Sequence, residues 1–152
     1  MSEASPAALP MPESGRLAGV DYGTRRIGIA TCDPGRKFCG PHEVYERRTL
    51  ALDAKWFQQL VKDEGLVGFV VGLPLHVSGD ESRKSLEARE FAKWLHETTR
   101  LPIALHDERY TSHAAEHLLA GTELTKKRRK ARIDALAAQM ILESYLQRKN
   151  DE

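Results

Sequence analysis

Three acidic residues occupy positions from which their carboxylates could act together. Asp21 lies at a sharp turn in GVDYGTRRIGIA, Glu108 follows the last predicted strand, and Asp134 lies at the start of the last predicted helix. If the two strands are neighbours and the helix packs across them, the three side chains meet at one end of a sheet. Carboxylate oxygens suit a hard divalent cation such as Mg²⁺. A pair of such ions, about 4 Å apart, can activate water and stabilise the leaving oxygen in phosphodiester cleavage.

Each of these acids also has an ordinary explanation. Asp is common before a glycine turn for conformational reasons, Glu108 could be a solvated charge, and Asp134 could be a first-turn acid that interacts with the helix dipole. Asp107 competes with Glu108, because the sequence does not say which of the two side chains faces inward. Their common placement at the ends of elements, where ligand sites of α/β sheets form, favours a shared site.

A dense basic segment precedes Asp134 in a chain whose net charge is only +1. A charge run is more often a solvated face than a binding site. Beside an acidic metal site, however, it favours a nucleic acid substrate whose phosphates are held by Lys and Arg. Arg109 could hold a phosphate in the same way, or pair with a neighbouring acid. The predicted phosphate-binding residues of the basic segment are Lys126, Lys127, Arg128, Arg129 and Lys130.

Two turns beside the predicted strands supply further substrate-binding candidates. Thr24 and Arg25 belong to the turn of GVDYGTRRIGIA, and His76 lies in the loop GLPLHVSGDES. Loops that leave a central strand often line active sites. The plainer alternative for the second loop is a strand-to-helix connection in which Ser82 caps the next helix.

The predicted strands have distinct patterns. LAGV and IGIAT flank a glycine-containing turn and form a predicted hairpin, to which a third strand around residues 42–45 could add. LVGFVVGL is apolar almost throughout, as expected of a strand in the middle of a sheet. PIALH supplies the last strand.

The predicted helices follow from apolar residues at spacings of three and four. The first begins near Ala51 and has Leu52 on its predicted buried face, and a short third helix is capped by Thr111 or Ser112. The order β-β-β-α-β-α-β-α-α predicts an α/β domain with a mixed sheet.

Length and composition indicate one domain. A chain of 152 residues can bury a substantial core but is short for two domains. Residues 1–15 combine three prolines with small and polar residues, which predicts a disordered leader before a domain at residues 16–149. The chain shows neither an apolar run of the roughly 20 residues that a membrane helix needs nor a signal peptide, so we expect a soluble cytoplasmic protein. Cys32 and Cys39 are expected to be reduced thiols.

The motifs resemble those of a known family in their order and spacing. The resemblance runs from about Leu17 to Leu146 and is to the YqgF (RuvX) family, whose members are described as Holliday junction resolvases and as pre-16S rRNA processing nucleases. The matching segments are GVDYGTRRIGIA, VVGLPLHVSGDES, DERYTSHAAE and KKRRKARIDALAAQMILESYL.

This resemblance implies a fold, a site and a cofactor. The fold would be RNase H-like, a five-stranded mixed sheet flanked by helices. The catalytic and metal-binding residues would be Asp21, Glu108 and Asp134, with Mg²⁺ or Mn²⁺ as cofactor and structured or single-stranded nucleic acid as substrate. The chain departs from the family pattern at His76, where Asn is common, and at Ser78, where an acid is frequent, which affects the expected substrate preference.

Three functions are therefore considered. The leading one is a metal-dependent nuclease, monomeric or homodimeric, that processes the precursor of 16S rRNA, cleaves branched DNA such as Holliday junctions, or does both. The turn Asp21-Tyr22-Gly23-Thr24 also resembles the phosphate turn of actin-like sugar kinases and chaperone ATPases, although those proteins use two such domains. A nucleic-acid or ribosome-assembly binding protein without turnover would use the basic segment alone.

Overall fold

A computed structural model describes residues 10–109 and 126–150, with the side chains of the last helix from residue 133 onward. The short helix predicted after Thr111 or Ser112 lies outside the described residues. None of the helices in these ranges is long and apolar enough to cross a membrane. The strands are β1 (Arg16–Asp21), β2 (Arg26–Cys32), β3 (Cys39–Glu46), β4 (Leu66–Leu73) and β5 (Ile103–Asp107), and the helices are α1 (Leu50–Glu64), α2 (Arg83–Thr99) and α3 (Lys126–Asn150).

The five strands form one mixed sheet in the order β3-β2-β1-β4-β5. β2 runs antiparallel to both β1 and β3, whereas β1, β4 and β5 are parallel to one another. This confirms the predicted hairpin, the third strand and the mixed sheet, with β4 in its interior. The strands that lead to Asp21 and Glu108 are not neighbours, however, because β4 lies between β1 and β5.

Helices cover both faces of the sheet with separate apolar clusters. On one face, Phe57 of α1 packs against Phe91 of α2 and Phe69 of β4, with ring centroids 5.8 Å and 6.1 Å away. On the other face, Ile141 of α3 packs with Val70 of β4. Each fully buried side chain of this size contributes about 1.5–3 kcal/mol through the hydrophobic effect, so both faces are firmly held.

The backbone of helix α3 lies directly against the backbone of β1 and β2. At Gly19 of β1, an added Cβ would lie 2.5 Å from the carbonyl oxygen of Ala138, and at Gly28 of β2 it would collide with the carbonyl oxygen of Asp134. A side chain at either position would push the helix away from the sheet. The two glycines therefore set the height at which Asp134 lies over the strands.

Helix α3 begins at Lys126, earlier than the sequence pattern predicts, so the backbone of the basic segment is helical. Asp134 consequently lies about two turns inside the helix. A helix dipole acts mainly on charges within the first turn. The alternative that Asp134 is a first-turn acid is therefore wrong.

Helix α1 buries a residue that the apolar pattern does not indicate. Leu52, predicted to be buried, is 45% exposed, whereas Asp53 is 1% exposed. The carboxylate of Asp53 accepts hydrogen bonds from the Tyr45 hydroxyl at 2.6 Å and from the backbone N–H of Arg48 at 2.9 Å, and Arg47 Nε lies 3.3 Å from Oδ2. These partners compensate the loss of hydration and join the end of β3 to α1.

The connection between β4 and α2 is closed by Ser82, as the sequence predicts. Its Oγ accepts a hydrogen bond from the backbone N–H of Ser85 at 2.9 Å, and Ser85 Oγ accepts one from the backbone N–H of Ser82 at 2.7 Å. This capping box satisfies backbone groups that the first turn leaves open. Ser82 Oγ also donates to the carbonyl of Pro74 at 2.6 Å, which ties the start of α2 to the end of β4.

The predicted leader is described from residue 10, and its first nine residues lie outside the described part of the chain. Arg36 donates hydrogen bonds to the carbonyls of Gly15 at 2.8 Å and Pro12 at 2.7 Å. Met11 lies over the backbone of Gly68 in β4. The leader at residues 1–15 and the domain at 16–149 stay a prediction.

Candidate active site

Asp21 is the last residue of β1, opposite Gly28 of β2. The turn that follows is held by Tyr22. The ring of Tyr22 packs against Phe91 at a centroid distance of 4.7 Å, and its hydroxyl accepts a hydrogen bond from Arg47 Nη1 at 2.9 Å. The course of the backbone just after Asp21 is therefore fixed by contacts of Tyr22 with α2 and with the residue that follows β3.

The carboxyl of Asp21 lies in an acidic and partly buried environment. Burial raises its pKa well above the usual value, and the nearby charges of Glu108 and Asp134 raise it further. Lys84, in the first turn of α2, acts in the opposite direction. The charges of Glu108 and Asp134 both act on Asp21, which indicates that the end of β5 and helix α3 bring these acids near the end of β1.

Glu108 reaches this region across β4. Its backbone N–H donates to the carbonyl of Leu73 at 3.2 Å, and its side chain passes over Gly72, where an added Cβ would collide with Glu108 Oε2. Burial raises the pKa of Glu108 to about 7, with a further contribution from Asp107 and an opposing one from Lys84. The missing side chain of Gly72 thus makes it possible for non-adjacent strands to contribute to one site.

Asp134 is held over the opening residue of β2. Its Oδ2 lies 3.5 Å from Arg26 Nη2, and both side chains are about a fifth to a quarter exposed. Its backbone rests on Gly28, as described above. Among the described residues, Arg26 of the sheet thus forms an ion pair with Asp134.

The donor set is compatible with a hard divalent cation. Three carboxylates offer only oxygen ligands, which Mg²⁺ and Mn²⁺ prefer. The raised pKa values of Asp21 and Glu108 reflect negative charge confined in little water, which a cation would neutralise. Within residues 10–109 and 126–150, no group of three or more His, Cys, Asp or Glu side chains is arranged to hold a metal ion. The fit therefore rests on donor chemistry and charge.

Asp107 has a different partner. Arg109 donates to its carboxylate through the backbone N–H at 3.0 Å and through Nε at 2.7 Å. Burial by itself would raise the pKa of Asp107, but the hydrogen bonds from Arg109 outweigh it and lower the pKa below the usual value. Of the two alternatives for Arg109, pairing with a neighbouring acid is the one present in this structure.

Arg109 also holds the loop between β4 and α2. Its Nη1 donates to the carbonyl of Val77 at 3.0 Å. The loop closes on itself through the backbone N–H of Gly79, which donates to the carbonyl of His76 at 2.8 Å. Gly79 has a φ of 95°, a conformation that favours glycine. His76 is exposed on this loop, where a substrate could contact it.

The other predicted substrate-binding residues differ in how much can be described. Thr24 and Arg25 are exposed in the turn that follows Asp21. The side chains of the basic segment lie outside the described residues, although its helical backbone places it about one to two turns before Asp134. The residues concerned are Lys126, Lys127, Arg128, Arg129 and Lys130.

Three residues of this region are not indicated by the sequence reasoning. Arg26 follows Arg25 in the same motif, and only the strand register shows that it faces α3. Lys84 belongs to an exposed first turn whose orientation depends on the Ser82 cap. Gly72 could have been suspected, because glycine inside an apolar strand often marks a close approach.

Residues 15–148 match the sequence model of RuvX, described as Holliday junction resolvase. The chain belongs to the RuvX family. This match confirms the predicted family and the predicted class of activity, a nuclease that hydrolyses phosphodiester bonds. The RuvX segment covers β1 to β5 and nearly all of α3, and therefore all three acids.

Relatives of known description are similar over most of their length. A protein of Rhodopirellula baltica is 51% identical over 136 residues, which are 90% of this chain and 79% of the relative. A protein of Syntrophomonas wolfei is 40% identical over 131 residues, or 86% and 93% of the two chains. Both carry the name "Putative pre-16S rRNA nuclease".

Solved structures confirm the predicted RNase H-like fold. The RuvC structure of Thermus thermophilus has a TM-score of 0.51 at 13% identity, over 89% of this chain and 96% of that one. The Fowlpox virus resolvase in complex with Holliday junction DNA has a TM-score of 0.53 at 8% identity, over 90% and 99%. At these identities the similarity concerns the fold of the RuvX chain.

Proposed function

We propose that this RuvX-family chain is a Mg²⁺- or Mn²⁺-dependent nuclease that processes the precursor of 16S rRNA. Asp21, Glu108 and Asp134 serve as metal ligands and catalytic residues. The observation that supports this best is the electrostatic contact of Asp21 with both other acids. Confined carboxylates of like charge are costly for folding, and they are found where function requires them.

The roles of the residues follow from their positions. A cation held by these carboxylates would polarise the scissile phosphate and make a bound water more acidic for phosphodiester hydrolysis. Burial raises the pKa of Glu108 to about 7, so Glu108 would release its proton on binding a cation. Arg26 keeps Asp134 oriented between the sheet and α3 through the 3.5 Å ion pair.

Substrate contacts surround this edge of the sheet. Thr24 and Arg25 lie beside Asp21, and His76 is exposed on the loop that Arg109 holds. The basic segment, residues 126–130, precedes Asp134 on α3 and would take the phosphates flanking the cleaved bond. Arg109 would reach a phosphate by exchanging its contact with Val77 or Asp107.

RNA is proposed as the substrate because of the relatives. The protein of Rhodopirellula baltica, 51% identical, bears the name of a pre-16S rRNA nuclease, whereas the proteins solved with junction DNA share only the fold. The departures at His76 and Ser78 lie in the loop beside the acids, where substrate preference would be read.

The proposal is tested with Asp21→Asn on two substrates, an RNA carrying precursor ends of 16S rRNA and a four-way DNA junction. With Mn²⁺ present, the parent protein should cut the RNA, and the variant should lose cleavage by at least about a hundredfold while still binding it. Asp63→Asn is the matched control, because Asp63 is an exposed carboxylate on α1 whose Oδ1 accepts from Gln59. Its cleavage should equal that of the parent.

The other two functions predict different outcomes. A binding protein without turnover would lose RNA binding when residues 126–130 are changed to Gln, with no metal-dependent cleavage in any variant. Preferential cutting of the junction would reassign the substrate to branched DNA. Equal cleavage by the parent and Asp21→Asn would refute the three-carboxylate site.

A further inference from the structure

The only two cysteines of the sequence face each other across the hairpin of β2 and β3. Cys32 and Cys39 are register partners in the antiparallel pair. The backbone N–H of Asp33 donates to the carbonyl of Phe38 at 3.0 Å, so the adjacent cysteine pair is of the non-hydrogen-bonded type. In such pairs the Cα atoms are about 4.5 Å apart and the side chains are close. A disulfide requires Cα atoms about 4.4–6.8 Å apart.

Both thiols lie on the face of the sheet that α3 covers. Cys32 is 3% exposed and belongs to the apolar cluster under the helix. Cys39 is partly buried and packs against the same cluster. Both are free thiols, and Cys32 Sγ accepts a hydrogen bond from the backbone N–H of Leu17 at 3.3 Å. A bond between them would not require either side chain to change face.

The loop that joins the two cysteines holds their register. The carboxylate of Asp33 accepts hydrogen bonds from the backbone N–H groups of Lys37 at 2.8 Å and Phe38 at 2.7 Å, and also from Gly35 at 3.1 Å. Arg36 is tied to the segment before β1. Such a loop keeps the two strands aligned as they approach the cysteine pair.

We propose that Cys32 and Cys39 form a cross-strand disulfide in the presence of a low-molecular-weight disulfide such as oxidised glutathione. Cys39, the more exposed thiol, attacks the glutathione disulfide and releases one glutathione as a thiol. Cys32 then attacks Cys39 Sγ and releases the second glutathione. Two protein S–H bonds break and one S–S bond forms, while the two electrons and two protons end on two glutathione molecules.

The exchange is slow at neutral pH. Burial raises the pKa of Cys39 to about 12 and also raises the pKa of Cys32, and the thiolate is the attacking species. The disulfide therefore forms under sustained oxidation, and its rate of formation rises with pH. Besides burial, the groups that act on Cys39 are Cys32, Glu143 and Asp33. Those that act on Cys32 are the backbone N–H of Leu17, Arg36, Asp33 and Arg16.

The cross-link would hold an edge of the sheet. In the described part of the chain, β3 is an outer strand whose only neighbour in the sheet is β2. β2 begins at Arg26, beside the acids, and ends at Cys32, so the cysteine pair lies at the opposite end of the sheet. The disulfide should therefore raise stability and leave nuclease activity unchanged.

The test uses the full chain incubated with oxidised glutathione at about pH 9, where thiolate exchange is faster. Intact mass should fall by two hydrogen atoms, both thiols should disappear together in a denaturing thiol assay, and peptide mapping should link residue 32 to residue 39. The unfolding midpoint should rise and return to its first value on reduction. Cys39→Ser should show no internal cross-link and no such rise.

Three outcomes would overturn the proposal. Both thiols could persist under these conditions, glutathione could remain attached to Cys39 as a stable mixed disulfide, or the cysteines could link two chains. Loss of nuclease activity on clean formation of the internal disulfide would contradict the separation of the cysteine pair from the site. The mass, thiol, peptide-mapping and unfolding measurements do not depend on the identity of the substrate.

Discussion

Arg26 Nη2 lies 3.5 Å from Asp134 Oδ2 and so joins the first residue of β2 to helix α3. A pair of similar length and exposure lies at the other end of the sheet, where Arg16 Nη1 is 3.6 Å from Glu64 Oε1. Ion pairs of this exposure are generally worth no more than about 1 kcal/mol in stability. If removing the Arg26–Asp134 pair has a larger effect on function, the cause must be its position beside the acidic residues.

Arg26→Gln should lower metal-dependent cleavage about tenfold or more, because a displaced carboxylate is costly for catalysis. The free energy of unfolding should change by less than about 1 kcal/mol, and Arg26→Lys should recover part of the rate. Cleavage kinetics and denaturant titrations measure the two effects. Arg16→Gln, the matched control, should give the same small stability change with the parental rate.

Gly72→Ala should impair both folding and cleavage. The new methyl group would collide with Glu108 Oε2 and come within 2.5 Å of Ile141 Cδ1. We expect a loss of about 1–3 kcal/mol in stability, as for other overpacked positions, and a loss of more than tenfold in rate, because Glu108 is displaced. Equilibrium unfolding measures the loss of stability. Cleavage rates measured well below the melting point give the loss of activity.

Gly40→Ala is the control for this substitution. An added Cβ at Gly40, on the outer strand β3, would meet no described residue within 4 Å. Its stability and rate should stay close to those of the parent. If Gly72→Ala behaved in the same way, the passage of Glu108 over the bare backbone of β4 would lose its structural role.

Glu108→Gln should stabilise the metal-free protein at alkaline pH. The pKa of Glu108 is raised from 4.5 to about 7 in the folded state, so between these values the folded protein binds more protons than the unfolded one. The parent therefore loses stability as pH rises through this window, whereas glutamine does not titrate. Allowing for partial exposure, we expect the variant to gain about 1–3 kcal/mol on the parent above pH 7.

The measurement is urea unfolding in chelator at several pH values. The advantage of Glu108→Gln should vanish below the unfolded-state pKa of about 4.5. Added Mn²⁺ should stabilise the parent and not the variant, because a ligand that binds only the native state raises stability. A pH-independent difference would indicate that the environment of Glu108 is not the cause.

Asp107→Asn should retain most of the cleavage rate, within roughly threefold of the parent. Its carboxylate is engaged by Arg109 through hydrogen bonds of 3.0 Å and 2.7 Å, whereas Glu108 is the neighbour that acts on Asp21. Parallel assays of Asp107→Asn and Glu108→Gln over a Mn²⁺ titration separate the two carboxylates. Equal losses in both variants would show that they share the catalytic role.

Much of the fold is predictable from the sequence because each element has a local signal. The apolar run of β4, the hairpin around Gly23 and the cap at Ser82 all depend on residues near one another in the chain, and the structure confirms them. The placement of the three acids at ends of elements follows from the same signals. The convergence of the three acids could be anticipated, but the contact of Glu108 with the backbone of Gly72, which makes it possible, could not.

The remaining features depend on contacts distant in sequence. Glu108 reaches Asp21 over Gly72, which requires the strand order to be known. Asp53 is buried in place of Leu52 because hydrogen bonds from β3 and the following turn compensate its charge. The spacing of apolar residues in the sequence does not indicate such hydrogen-bond partners. The early start of α3 lies in a basic segment whose apolar pattern is weak.

The backbone contact between α3 and the sheet has a consequence for mutational tolerance. In a saturation screen scored by nuclease activity, Gly19 and Gly28 should be as intolerant of substitution as the acids, although neither carries a reactive group. Their side-chain space is taken by the backbone of α3. On the sheet, the positions of the intolerant glycines would mark where the helix that carries Asp134 contacts the strands.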